Sequence, residues 1–222
     1  MVSIKDFGHI HSIFFAHSSN EAIRFQASSG GFVKSFLAYL LESKTVDSVI
    51  ITRTGGPDDP LVPETIITSS KEDILSTRTN SVYAVNNPVP AFKELVYSKK
   101  YTFVGLPCQV RNLRVLQKKG QYRNIVIIIS LFCHHTPKIE FTRGILRKLN
   151  VKERDVQQIE YRGSGWPGGF TAYLKNGRKK FVAQRDCWSN DLNNGPEICK
   201  HCSEIAEDAD FFVGDPWNLK LE

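Results

Sequence analysis

Four of the five cysteines stand in settings that suit metal or redox chemistry. Cys108 lies in Gly105-Leu106-Pro107-Cys108-Gln109, and Cys133 ends Leu131-Phe132-Cys133. Cys199 and Cys202 close a C-x-x-C, Cys199-Lys200-His201-Cys202. Four thiolates satisfy one tetrahedral metal ion or one iron–sulfur cluster. A structural zinc site would pair the C-x-x-C with a second one, or with two histidines at short spacing. Here the other two cysteines are isolated and far upstream. That 2+1+1 arrangement lowers zinc, and iron–sulfur clusters accept scattered ligands when the fold gathers them. Zinc or a redox dithiol stays open for the pair, and ordinary core packing for Cys108 and Cys133. Cys187 is left over as a free thiol or a replacement ligand. His134, His135 and His201 adjoin the candidate ligands and read as supporting or surface residues.

Two further motifs are built for close backbone approach. In Ala27-Ser28-Ser29-Gly30-Gly31, small residues precede a helix. Their amides, the Ser28 and Ser29 hydroxyls and the helix N-terminus suit the phosphates of a nucleotide-type cofactor, with Arg24 close by. Plain N-capping by Ser28 or Ser29 is the competing explanation. Arg162-Gly163-Ser164-Gly165-Trp166-Pro167-Gly168-Gly169 has more glycine than a hairpin needs. Such a loop lays backbone and an indole against a flat ring, although a wide connection whose Trp covers the core is the plainer alternative. There is no Ser–His–Asp set, P-loop, G-x-G-x-x-G or H-E-x-x-H, which weighs against hydrolases and Rossmann NAD enzymes.

The surrounding pattern says what positions these residues. Apolar Phe32, Phe36, Leu37, Leu40 and Leu41 have helical spacing over 32–43. Strands are expected at 46–52, 63–68, 101–105 and 125–131, the last covered on both faces. Helices are expected at 70–77 with Ser70 as N-cap, and at 90–98, 110–119 and 137–149. This alternation argues for a βαβ unit with parallel strands, which puts Cys108 and Cys133 at neighbouring strand ends. A thiol at a helix N-terminus is expected to favour its thiolate.

After Asn150 the strands shorten: 156–162, 170–175, 179–183 and 209–213, with Asn176-Gly177 as a hairpin turn and 186–202 as a long loop. The fold class is therefore α/β (α+β overall). Residues 1–150 form the α/β part and 151–222 a β-rich part carrying the cysteine loop, together one compact unit.

Composition sets outer bounds. Of 222 residues, 41% are hydrophobic and 23% charged, as in a globular domain rather than a disordered chain. No apolar run approaches a membrane span, and the first six residues lack a signal-peptide layout, so a cytoplasmic protein is expected. The net charge of +6 suggests anionic cofactors as partners. Its even spread along the chain makes nucleic acid an unlikely one.

Together, these motifs in this order resemble the family of coenzyme F420 hydrogenase and dehydrogenase beta subunits. That family is related to 7-hydroxymethyl chlorophyll a reductase. The resemblance runs from Phe25 to Trp217, through 27–31, 104–116 (VGLPCQVRNLRVL), 131–133, 161–168 (YRGSGWPG), 199–202 and 209–217 (ADFFVGDPW). It implies an oxidoreductase with FAD and a [4Fe-4S] cluster. Such a protein exchanges a hydride with coenzyme F420 or a similar carrier and passes electrons onward. By motif match, Cys108, Cys133, Cys199 and Cys202 would hold the cluster. Arg24, Ser28, Ser29, Gly30, Gly31, Gly165, Trp166, Pro167 and Gly168 would contact flavin or substrate. No single side chain is implied as a general acid or base.

The implied partners are other redox subunits: a hydrogenase, a dehydrogenase or a ferredoxin-like protein. Asn80-Ser81-Val82-Tyr83 departs from the family's Gly-Ser-basic-Tyr. No C-x-x-C-x-x-C segment precedes the domain, so further clusters are expected from a partner. The alternative function is a non-catalytic module of a larger redox complex, stabilised by zinc or a cluster.

Overall fold

The computed structural model describes residues 10–163, 165–187, 195–203 and 208–216. The expectations for the first six residues, Ser164, loop residues 188–194 and Trp217 lie outside these. Eight strands run through the described chain: β1 (Ser48–Arg53), β2 (Glu64–Thr68), β3 (Tyr101–Gly105), β4 (Ile125–Leu131), β5 (Val156–Glu160), β6 (Gly169–Leu174), β7 (Lys179–Ala183) and β8 (Phe211–Val213). One sheet has the order β2-β1-β3-β4-β8, and the other β5-β6-β7. In the first sheet β1, β3, β4 and β8 are parallel, and β2 is an antiparallel edge. The second sheet is antiparallel, with its last hairpin turning at Asn176-Gly177 as expected.

Strand alternation divides the first sheet into two buried faces. Val49, Ile51, Val104 and Ile129 pack with Leu37 and Leu40 of α2 (Phe32–Glu42) and Ile74 of α3 (Lys71–Leu75). Ile50, Phe103 and Ile128 pack the other way, onto Phe92 of α4 (Val89–Phe92) and Val110 and Leu113 of α5 (Pro107–Lys118). Each such side chain contributes about 1.5–3 kcal/mol by leaving water. The second sheet packs on α6 (Ile139–Lys148), whose Phe141, Ile145 and Leu146 meet Ile159, Phe170 and Ala172.

Several expectations shift. Asn20 caps a helix the hydrophobic pattern did not suggest, α1 (Glu21–Gln26), by accepting the Ile23 amide through its side chain. None of that helix's residues is buried, so it carries no amphipathic signature. The expected helix at 90–98 is only α4, because Val96 and Tyr97 beyond it face solvent. Helix α5 begins at Pro107 rather than Val110, and Cys108 lies in its first turn as expected of a thiol at a helix start. Strand β4 is not covered throughout: Val126 is 43% exposed near its start. The long loop at 186–202 holds two short helical turns, α7 (Gln184–Cys187) and α8 (Glu197–Lys200).

Candidate cofactor and cluster site

The small-residue turn at 27–31 joins α1 to α2. Gly31 is the residue before α2, at φ +73°, a left-handed conformation that glycine adopts without strain. Neither Ser28 nor Ser29 caps that helix, which has no side-chain cap at all. The Ser28 hydroxyl instead accepts the backbone amide of Ser81 at 2.7 Å. The α2 amides therefore stay clear of serine caps, as anion binding at a helix N-terminus requires. Ser29 and Gly30 are half-buried beside them, with the Gly30 carbonyl accepting the Ser18 amide at 2.7 Å. Arg24 is exposed in the last turn of α1.

The glycine- and tryptophan-rich loop comes to this turn from the second sheet. The Gly165 amide donates to the Phe25 carbonyl at 2.9 Å. Trp166 is 52% exposed, with the Arg162 guanidinium 5.1 Å from its ring centre. Pro167 is exposed and Gly168 half-buried. Trp166 therefore keeps about half of its surface in solvent. Arg162 is buried and donates to Asp215 at 2.6 Å, just past β8. A buried pair of this kind holds two distant segments in register, because losing one partner strands a charge.

A short segment after α3 stitches these pieces together. Asn80 is 5% exposed, and its amide nitrogen lies 2.8 Å from the Gln26 carbonyl, 2.9 Å from a Glu160 carboxylate oxygen and 2.9 Å from the Arg162 carbonyl. Tyr173 donates to the other Glu160 oxygen at 3.0 Å. Burial pushes the Glu160 carboxyl above its usual range, against the pull of those bonds and of Lys34. A Cβ at Gly163 would collide with that carboxylate, so only glycine lets the loop lie over it. Lys34, on α2, donates to the Ser76 carbonyl at 2.7 Å, and burial lowers its ammonium to about 8.

The cysteines lie further along the same sheet edge. Cys108 is the second residue of α5, whose first turn is fixed by the Gln109 side chain: it accepts the Leu106 amide and donates to the Asn86 carbonyl. Cys133 follows β4, next to β8, where Phe132 donates its amide to Val213. Cys199 is in α8, and Cys202 follows it. The four sit within one another's electrostatic reach. Burial raises the Cys108 thiol first, and Cys202 and Cys199 add to it. Burial likewise pushes Cys133 up to about 11, with Cys108, Cys199 and Cys202 each contributing. The α5 amides do lower Cys108, as expected of a helix N-terminus, but burial and the neighbouring thiols outweigh them. Among the described residues no group of three or more His, Cys, Asp or Glu is arranged to hold a metal ion. Cys187 is buried beside Val182, and nothing in its pKa connects it with the other four.

The turn, the loop and the four cysteines therefore share one edge of a parallel sheet, where strand carboxyl ends leave a crevice. Sequence reasoning missed Glu160 and Lys34 and the joining roles of Arg162 and Asp215, and met Asn80 only as a departure from the family motif. Arg162 and Asp215 were visible as members of the motif strings, but a pairing across 53 positions has no local signal. A basic depression lined by Arg114, Lys118, Arg123 and Asp208 lies instead at the amino end of β4, away from this chemistry.

An α/β protein with a cofactor-type turn and four cysteines at one sheet edge is the class that the geometry defines. The chain belongs to the family of coenzyme F420 hydrogenase/dehydrogenase beta subunits: residues 13–92 match the family's N-terminal model and 98–220 its C-terminal model. It is 27% identical over 208 residues to a coenzyme F420-dependent sulfite reductase of Methanocaldococcus jannaschii, covering 85% of this chain and 31% of that protein. It is 27% identical over 218 residues to an F(420)H(2) dehydrogenase subunit of Methanosarcina mazei, covering 94% of this chain and 58% of that one. The chain thus spans about a third to somewhat over half of these two relatives. Its fold matches a chain of the F420-reducing [NiFe] hydrogenase complex from Methanosarcina barkeri, with a TM-score of 0.66 and 21% identity, over 90% of this chain and 68% of that one. Among the described residues no helix is long and apolar enough to cross a membrane.

Proposed function

We propose that this chain is a redox subunit that binds FAD between the 27–31 turn and the Gly165–Gly168 loop, takes or gives a hydride with coenzyme F420, and holds a [4Fe-4S] cluster on Cys108, Cys133, Cys199 and Cys202. The observation that carries this reading is the convergence of turn, loop and cysteines. The Gly165 amide meets Phe25, Arg162 meets Asp215 beside the strand leading to Cys133, and Asn80 joins both loops. Bound flavin supplies two-electron chemistry and a bound cluster one-electron chemistry.

The chain's own residues supply placement and charge. Amides of the turn and of α2 would bind anionic phosphates, and the half-exposed Trp166 ring, backed by the buried Arg162 guanidinium, offers a flat surface. Four soft sulfur donors fit iron and sulfide. Burial, with the neighbouring thiols adding to it, raises Cys108 and Cys133, so a bound cation would favour the thiolate at these two. Relatives carry F420 in their names, which supports that carrier here. The partners on this reading are further redox subunits in the cytoplasm.

The test is anaerobic purification, reconstitution with FAD, iron and sulfide, and quantitation of each. Flavin bands, a broad iron–sulfur shoulder and bleaching by reduced F420 are expected. One bound zinc with no iron, sulfide or flavin would overturn the reading in favour of a structural module.

A further inference from the structure

We infer that Asn80 and Glu160 are a positioning pair, a buried amide–carboxylate contact that locks the Gly165–Gly168 loop against the 27–31 turn and so sets the width of the flavin gap. This rests on the flavin reading above. Neither residue touches the gap's proposed occupant; both act through the backbone that does.

The geometry assigns the roles. The Asn80 amide has two protons and three acceptors within 2.9 Å: the Gln26 carbonyl before the turn, the Arg162 carbonyl opening the loop, and Glu160. That surplus of acceptors fixes the orientation of the amide, since the flipped form would set oxygen against three oxygens. Glu160 is itself 2% exposed and is held on its far side by Tyr173. Gly163 has no side chain, so the loop can rest on the carboxylate. The groups facing Glu160 are Asn80 from the connecting segment, Tyr173 from β6 and Lys34 from α2. A donor at position 80 is required; an acceptor there would drive turn and loop apart.

The experiment uses the full chain, reconstituted with FAD, with affinity read from flavin fluorescence. Asn80→Asp places a carboxylate against Glu160 and two carbonyls. FAD affinity at pH 8 should fall by about tenfold or more, and recover toward pH 6 as one proton comes to be shared between the carboxylates. Glu160→Gln added to Asn80→Asp should restore much of the loss at pH 8. Its amide can donate to the new carboxylate while its oxygen still accepts from Tyr173. Hydrogen exchange at the Gly165 amide should quicken in Asn80→Asp, while β6 and β7 amides keep wild-type protection.

An Asn80→Asp affinity within about twofold of wild type, or a loss with neither pH recovery nor rescue by Glu160→Gln, overturns the inference. If wild type itself binds no FAD, the flavin reading falls. Gly165 exchange then still decides the pair: unchanged exchange removes it, and faster exchange keeps it as a lock on the loop.

Discussion

The junction around Asn80 and the group of four cysteines lie along the same sheet edge but are held by different forces. The junction is closed by direct bonds: Asn80 to three acceptors, Gly165 to Phe25, Ser81 to Ser28 and Arg162 to Asp215. What links the cysteines is electrostatic, and at Cys108 and Cys133 it adds to burial in disfavouring the thiolate. One region is therefore assembled by the polypeptide alone. The other brings four thiols near one another without, among the described residues, a group arranged to hold a metal ion, and on the proposed reading it closes only when the cluster binds. Rigid placement at the first and ligand-dependent closure at the second are the corresponding expectations.

The largest effect that would test this contrast is at the cysteines. Cys108→Ser should remove essentially all bound iron after reconstitution while flavin binding and the thermal midpoint of the apo chain stay close to wild type. If apo stability collapses as well, the cysteine region is built by packing and the contrast fails. Next comes Arg162→Met, which leaves Asp215 without its buried partner. We expect a loss of about 3–5 kcal/mol in urea unfolding, with weakened flavin binding.

A third prediction concerns pH. Folding lowers Lys34 from 10.5 to about 8, so between these values the unfolded chain holds more protons than the folded one. Stability attributable to Lys34 therefore rises with pH across that window, by up to roughly 3 kcal/mol, and is lowest below about 8. The difference between wild type and Lys34→Met, measured by urea unfolding from pH 7 to 10.5, should shift in favour of wild type as pH rises. A flat difference would show that the ammonium is not buried in solution. The smallest effect is expected from Gln109→Ala, which cuts the link from Asn86 to the first turn of α5. A cost of about 1 kcal/mol and a slower rate of cluster loading are expected, with flavin affinity unchanged. Loss of flavin affinity there would mean that the two regions are one cooperative unit.

Much of this was legible in the chain. Runs such as 125–131 and helical spacing at Phe32, Phe36 and Leu40 report burial directly, because each position's face follows from a local period. The order of strands and helices made a parallel layer with paired cysteines at its edge the simplest arrangement, and β3–α5–β4 has that form. Helix α1 was not legible, since a short exposed helix held by one Asn cap carries no hydrophobic signal. Nor was the shortness of α4, which ends where its neighbours stop covering it.

By itself the sequence determined the residue types of the site: four thiols with scattered spacing, a turn of small residues, and a loop rich in glycine around Trp166. Those are local properties, and their order along the chain was enough to indicate the family. Only the tertiary structure decided which backbone groups those loops would meet. It put Asn80 between Gln26 and Arg162, and Glu160 beneath Gly163. It also decided that burial, not the helix N-terminus, governs Cys108. The physical reason is range. Periodicity and turn chemistry act over a few residues, whereas desolvation and buried hydrogen bonds depend on what chain-distant segments bring to the same point.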